Sequence, residues 1–296
     1  MHIVVAANPS ARFGRAAPYG GRVAARLRAL GHDVRLIEAT SWRAQLEQTR
    51  FAMLQGDLLV VAGGDGMVHL AANIVGGTSK PVLVVPAGSG NDFAEAIGIR
   101  SPEQAIDALE GMLAAEPERY DLIRVEHSGG VALAAGMISV GFDADVAARS
   151  DRLRRVPSRI RYETAIALTV LRPRHRTFRI RFDGGAEQVW RTLVAAVANN
   201  RTAGGGIPLV PSASMQDGRL TTVLAAPLAY PRFLRLLLKA LRGTHEADAR
   251  VTVVESETVE LASDEPVVAS ADGEMLGALP LRCSVMPGAL RVHGLP

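Results

Sequence analysis

The chain has 296 residues, 48% of them hydrophobic and 21% charged, a composition that excludes intrinsic disorder and predicts two domains or one large one. The single cysteine, Cys283, excludes an intramolecular disulfide and a cysteine-built zinc site. Lys+Arg 33 against Asp+Glu 30 leaves +3, carried almost wholly by arginine, since Lys80 and Lys239 are the only lysines. No apolar run reaches the ~18 residues needed to cross a bilayer. The first residues lack the basic region of a signal peptide, so a soluble, cytoplasmic chain is expected, at most peripheral to a membrane.

The first third alternates strand and helix. His2–Ala7 is a β-branched run that ends at the turn Asn8-Pro9-Ser10. Gly20–Leu30 has helical spacing, and Asp33–Ala39 is a second strand. A helix capped by Thr40 or Ser41 runs to about Gln55. Leu58–Ala62 is an apolar strand that enters Gly63-Gly64-Asp65-Gly66, and a helix follows to about Val75. Pro81–Val85 is another apolar strand; it enters Pro86-Ala87-Gly88-Ser89-Gly90-Asn91-Asp92, and Pro102–Ala115 reads as one helix. Apolar strands separated by helices predict a parallel sheet covered on both faces.

After about Tyr120 strands dominate: Leu122–Glu126, Val131–Ile138, Thr177–Phe182, Val189–Ala198, Leu220–Leu224, Arg250–Val254, Thr258–Ala262 and Leu290–Val292. Helical segments at Ile160–Leu171 and Tyr230–Arg242 interrupt them. The reading is an α/β plus β protein. Residues 1–120, completed by 284–296, form a Rossmann-like layered sheet, and 121–283 form an antiparallel β-sandwich.

Two glycine-rich, carboxylate-bearing turns close adjacent strands. In an open α/β sheet the crevice beyond the carboxyl ends of the strands takes the ligand. Glycines let backbone approach it, and a helix N-terminus favours phosphate. Asp65 could hold Mg²⁺ through water or bind a ribose hydroxyl there. Taken alone, the first turn is equally a tight strand-to-helix connection with Asp65 as its cap. Neither turn ends in the Gly-Lys-Ser/Thr of a P-loop.

Gly-Gly-Asp-Gly at 63–66, followed by Pro-Ala-Gly-Ser-Gly-Asn-Asp-Phe-Ala at 86–94, resembles the diacylglycerol kinase catalytic family. This is its bacterial soluble lipid-kinase branch, related to sphingosine, ceramide and NAD kinases. Asn8-Pro9, Gly141-Phe142-Asp143-Ala144, Asn199-Asn200 with Gly204-Gly205-Gly206, Pro211, Asp217-Gly218 and Ala271-Asp272-Gly273-Glu274 extend the resemblance along the chain. It implies ATP- and Mg²⁺-dependent phosphorylation of a lipid hydroxyl, most simply that of diacylglycerol. A kinase of the same fold acting on another alcohol, such as a sphingoid base, another glycerolipid or NAD, and a catalytically weak lipid-binding regulatory protein remain open.

The resemblance implies that Asn8, Thr40, Gly63, Gly64, Asp65, Gly66 and Ser89 line the nucleotide. It places Asp92 and Asp121 in the charged network around the phosphates and makes Glu274 the general base. Ser214, Asp217 and the backbone of Arg219 match a secondary, structural metal site. Met67 stands where the family usually has Thr, and His69-Leu70 where many relatives carry Asn-Glu. His69 and His175 have no partner visible in the sequence and are expected to be structural or solvent-facing.

Residues 149–181 hold eleven arginines and two acidic residues, a local balance of +9. Arg232, Arg235, Lys239 and Arg242 recur at helical spacing, a basic stripe expected opposite a leucine-rich one. A solvated helix face explains the stripe; for a lipid kinase, contact with an anionic membrane surface is the alternative. Aromatic content of 4% and the absence of a recognisable module argue against nucleic acid. A homodimer is left open.

Overall fold

The protein is described from a computed structural model that covers residues 1–8, 17–141, 145–146, 149, 152–153, 164–165, 167–169, 171 and 174–296. The first part runs β1 (His2–Ala7), α1 (Ala17–Ala29), β2 (Asp33–Ile37), α2 (Trp42–Ala52), β3 (Leu58–Gly63), α3 (Asp65–Val75), β4 (Val82–Pro86), α4 (Asp92–Ala96), α5 (Pro102–Asp107) and α6 (Leu109–Ala114). β1, β3 and β4 are buried almost throughout, as strands covered on both faces must be. Ser41 caps α2 by accepting the Ala44 N–H. The single helix expected over Pro102–Ala115 is two short ones, divided at Ala108.

The strands that follow are β5 (Glu118–His127), β6 (Gly130–Ala134), β7 (Met137–Val140), β8 (Arg176–Phe182), β9 (Gln188–Thr192), β10 (Val194–Ala198) and β11 (Leu220–Ala225). After α7 (Tyr230–Ala240) come β12 (Val251–Ser256), β13 (Thr258–Ala262), β14 (Val268–Ala271), β15 (Glu274–Ala278) and β16 (Leu281–His293). Among the described residues they make two sheets. One is 10-stranded in the order β2-β1-β3-β4-β16-β13-β8-β9, with β5 on β16 and β6 on β5. The other is 6-stranded and antiparallel, in the order β12-β11-β10-β7-β14-β15. An α/β first part thus leads into an antiparallel sandwich.

β16 spans both parts. Its end runs parallel to β4 through Val292 and His293, while its start pairs antiparallel with β13. β5 follows it, with a register shift between Met286 and Leu290. One core surrounds β1, β3, β4 and their helices. A second fills the sandwich with Ile123, Ile138, Phe178, Val197, Leu224 and Val259.

Two apolar runs expected as single strands are each two strands in different sheets. Val131–Ile138 divides between β6 and β7 because the N–H groups of Ala135, Gly136 and Met137 all turn onto the Asp272 carboxylate, each at 2.9 Å. Val189–Ala198 divides between β9 and β10 at Leu193, where the Thr192 hydroxyl accepts the Val194 N–H at 3.2 Å. Hydrophobicity continues across both breaks because the next strand faces the same core. The helix expected near Ile160–Leu171 and the Phe142–Ala144 motif lie outside the described residues, wholly or in part.

Candidate active site

The two glycine turns meet backbone to backbone. A Cβ on Gly88 would lie 2.2 Å from the Gly64 Cα, and one on Gly64 would lie 2.6 Å from the Gly90 carbonyl oxygen. No side chain fits at either contact, so glycine is a packing requirement there. Hydrogen bonds from Ala87 N–H to Gly63 O (2.9 Å) and from Asp65 N–H to Gly90 O (3.3 Å) fasten the turns. Gly66 differs. Its missing Cβ would meet nothing within 4 Å, although glycine weakens a helix by ~1 kcal/mol relative to alanine. The space lies on the open side of α3, where its N-terminal N–H groups suit a phosphate.

That space belongs to a cavity of ≈ 570 Å³ lined by Asn8, Thr40, Trp42, the turns 64–67 and 88–90, and Glu274. Of the residues implied by resemblance, Asn8, Thr40, Gly64, Asp65, Gly66, Ser89 and Glu274 come together in it. Gly63 lies beneath, covered by Met67. A Cβ on Gly63 would be 2.4 Å from the Met67 Cγ, and Met67 is buried. Leu70 is fully enclosed in the core, so a carboxylate has no place there.

Asp65 does more than face the cavity. Its Oδ2 accepts the Asp92 N–H and its Oδ1 the Phe93 N–H, both at 3.1 Å, which ties the start of α3 to the start of α4. Burial pushes its carboxyl up to about 6, against the pull of these two N–H groups and with help from the nearby charges of Asp92 and Asp272. Glu274 stands at the start of β15, and its carboxylate has no hydrogen bond or ion pair to the described residues.

Asp92 and Asp121 are engaged elsewhere. Asp92 is buried, and its oxygens accept the N–H groups of Gly205 (2.9 Å) and Gly206 (2.6 Å) from the 204–206 loop. Asp121, also buried, accepts Gly218 N–H at 2.8 Å and Gly288 N–H at 2.7 Å and does not line the cavity. Both carboxylates hold backbone turns in place.

Ser214, Asp217 and Arg219 form a surface turn away from the cavity. Asp217 Oδ1 accepts the Arg219 N–H (2.9 Å) and Ser214 Oγ the Gln216 N–H (3.3 Å). One carboxylate beside one hydroxyl suits a hydrated cation and not a caged one. Among the described residues no group of three His, Cys, Asp or Glu side chains could hold a metal ion.

His69 is corrected from unpartnered to paired. Its Nδ1 lies 3.1 Å from Asp272 Oδ2, with both side chains almost fully buried, and Asn73 Nδ2 lies 3.3 Å from its Nε2. Asp272 adopts φ 50, a left-handed conformation that Asp tolerates better than most residues. A carboxylate that accepts three backbone N–H groups and pairs with His69 thus fixes the turn that presents Glu274. His175 is exposed, as expected. Trp42 and Gln45 line the cavity and were not expected. Trp42 sits beside His69 with ring centroids 6.0 Å apart, and the Thr40–Ser41 cap at the end of β2 was the available signal.

Comparison with known proteins bears on the fold and the family. Residues 2–125 match the model of the diacylglycerol kinase catalytic domain, and residues 136–294 that of the YegS C-terminal NAD kinase beta sandwich-like domain. A diacylglycerol kinase of Mycobacterium tuberculosis (strain ATCC 25618 / H37Rv) is 31% identical over 290 residues, 96% of this chain and 92% of that one. A solved diacylglycerol kinase structure from Bacillus anthracis str. Sterne superposes with a TM-score of 0.71 at 17% identity, covering 100% of this chain and 97% of that one. An NAD kinase from Archaeoglobus fulgidus in complex with ATP has a TM-score of 0.58, also at 17% identity, over 100% of this chain and 94% of that one. With two glycine turns, a carboxylate-bearing strand end and family matches along nearly its whole length, the chain belongs to the diacylglycerol kinase catalytic family.

Proposed function

We propose that the protein transfers the γ-phosphoryl group of ATP to the free hydroxyl of a membrane lipid, diacylglycerol, giving phosphatidic acid. The observation that carries this reading is the convergence of Glu274, from the second sheet, with the turns at 64–67 and 88–90, from the first, in one cavity. The diacylglycerol kinase named in M. tuberculosis supports the acceptor, and the ATP-bound NAD kinase supports the donor.

The nucleotide phosphates lie against Gly64–Gly66 and Ser89, with Asn8 and Thr40 beside the rest of the nucleotide. Trp42 adds a flat apolar wall. Asp65 and Glu274 are the carboxylates lining the cavity and would face a magnesium ion arriving with ATP, which would neutralise phosphate charge. Glu274 accepts the hydroxyl proton as the lipid oxygen bonds to the γ-phosphorus. The bond from that phosphorus to the β–γ bridging oxygen breaks, and ADP leaves with the oxygen. A base with no internal hydrogen bond is free to take that proton. Because diacylglycerol resides in a bilayer, the reading includes contact with an anionic membrane surface from the cytoplasmic side.

An acceptor panel tests it. Radiolabelled ATP with Mg²⁺ is offered with diacylglycerol, a sphingoid base, NAD and no acceptor. Label in phosphatidic acid alone, or far above the others, is expected. Label only in another acceptor, or none in any, contradicts the reading.

A further inference from the structure

The leucine-rich helix α7 does not bury its whole apolar side. Phe233 and Leu236 are buried (9% and 6% exposed), and Leu236 packs with Met137, Val223 and Val251 on the outer face of the second sheet. Leu234, Leu238 and Leu241, spaced i, i+4 and i+7, are 39%, 47% and 52% exposed. At ~100° per residue they form one stripe beside the buried one. Arg232, Arg235, Lys239 and Arg242 form a third stripe that adjoins the leucines. The basic stripe lies opposite the apolar side as a whole, as expected, but the sheet covers only part of that side, and the leucines left exposed border the basic stripe.

The helix contains no acidic residue. Lys239 is held by Asp248 at 2.8 Å, and Asp248 is in turn held by Arg250 at 2.6 and 2.8 Å. These bonds lock the C-terminal end of the helix onto the start of β12. Arg232, Arg235 and Arg242 have no acidic partner among the described residues. The arginine-rich segment behaves differently. Arg176 donates from one nitrogen to both Asp145 oxygens, Arg179 pairs with Asp264, and Arg181 pairs with Glu260. Most of its described arginines near β8 are already neutralised by acids that lie mainly outside the 149–181 window.

We infer that α7 is a membrane-insertion helix. Leu234, Leu238 and Leu241 enter the acyl boundary of an anionic phospholipid surface, while Arg232, Arg235 and Arg242 bind its headgroup phosphates. Exposed leucines flanked by unpaired arginines match an anionic lipid interface, where apolar burial and charge attraction act together. A second copy of the chain fits worse, because a two-fold contact through this face would bring arginines together with no acidic side chain of the helix to offset them. The helix covers the β11–β12 side of the second sheet, whose opposite edge is β15, the strand that begins at Glu274. This inference rests on the lipid-kinase reading for its purpose and on the helix alone for its physics.

The test is co-sedimentation of the full chain with phosphatidylcholine vesicles, with and without phosphatidylglycerol, at low and high salt. It reads no turnover, so its failure and that of the kinase reading are separable. Binding to the anionic vesicles is expected. Joint replacement Arg232→Gln, Arg235→Gln and Arg242→Gln should weaken it at least about tenfold and flatten its salt dependence. Joint replacement Leu234→Gln, Leu238→Gln and Leu241→Gln should also weaken it at least about tenfold, with circular dichroism melting unchanged. In a separate variant, Leu238→Trp, fluorescence should be quenched by brominated lipid beyond the level of the parent. Parent-like binding by the leucine variant, absence of that quenching, or a concentration-dependent dimer that the leucine variant abolishes would each overturn the inference.

Discussion

Asp65 accepts two backbone N–H groups while facing the cavity, so its charge serves packing as well as chemistry. Its folded carboxyl sits at about 6, above the ordinary 3.8, chiefly because it is buried. A raised acid of this kind gives stability that is full below pH ~4 and lost as pH rises through its folded value. Asp65→Asn keeps one acceptor and turns an NH₂ toward the other N–H, a loss of about 1–3 kcal/mol. Its melting temperature without nucleotide should therefore fall furthest below the parent at about pH 4 and below, and the gap should narrow toward pH 7. A constant gap would show that Asp65 is not held protonated by burial. Met67 belongs to the same scale. In sequence it stands where the family usually has Thr; in the fold it is a buried side chain lying over Gly63. Met67→Thr should cost about 2–4 kcal/mol in chemical denaturation, through lost packing and a buried hydroxyl. It should bring no gain in ATP affinity; tighter ATP binding in a stable variant would contradict this.

Among the elements, the turn between β14 and β15 governs the most chemistry. Asp272 accepts three consecutive N–H groups from the β6–β7 connection and pairs with His69 on α3. The helix that starts at the phosphate turn is thereby joined to the strand that presents Glu274. Asp272→Ala leaves these donors unpaired, at about 1–3 kcal/mol each. His69→Gln, a milder change, keeps a neutral donor. We expect His69→Gln to retain ATP affinity and to lower kcat several-fold, since displacement of a catalytic group by ~1 Å can cost up to 10². A rise in KM for ATP with kcat unchanged would place His69 in nucleotide binding instead. The motif around Asp272 was legible, but its pairing with His69 was not, because the two lie 203 residues apart. The glycine turns were legible because their requirement is local: a strand end, a tight backbone and a helix start. β14 and β15 leave no strand signal because they are short and rich in small residues.

At the scale of the molecule, β16 and β5 link the two parts along their backbones, and buried aspartates link them through side chains. Asp92 reaches from α4 to the 204–206 loop, and Asp121 reaches from β5 to Gly218 and to the bend in β16. Resemblance placed both in the phosphate network, since carboxylates near a nucleotide motif look alike in sequence whether they face ligand or backbone. Asp92→Ala should therefore lower the cooperative melting temperature clearly and slow turnover by releasing the 204–206 loop, while Ser89→Ala should leave melting unchanged. The fold class was readable because apolar strands, helices and then turn-separated strands each follow from hydrophobic spacing. The interfaces were not readable, because they consist of polar contacts between distant backbone turns.

The central claim is that Glu274 takes the proton of a lipid hydroxyl while ATP lies on the glycine turns. It is tested by γ-phosphoryl transfer to short-chain diacylglycerol in the parent and in Glu274→Gln, both saturated with ATP as verified by direct binding. The account predicts a drop of about 10²–10⁴ in kcat with ATP affinity essentially unchanged. Parent-like transfer by Glu274→Gln, or loss of ATP affinity with kcat preserved, would contradict it.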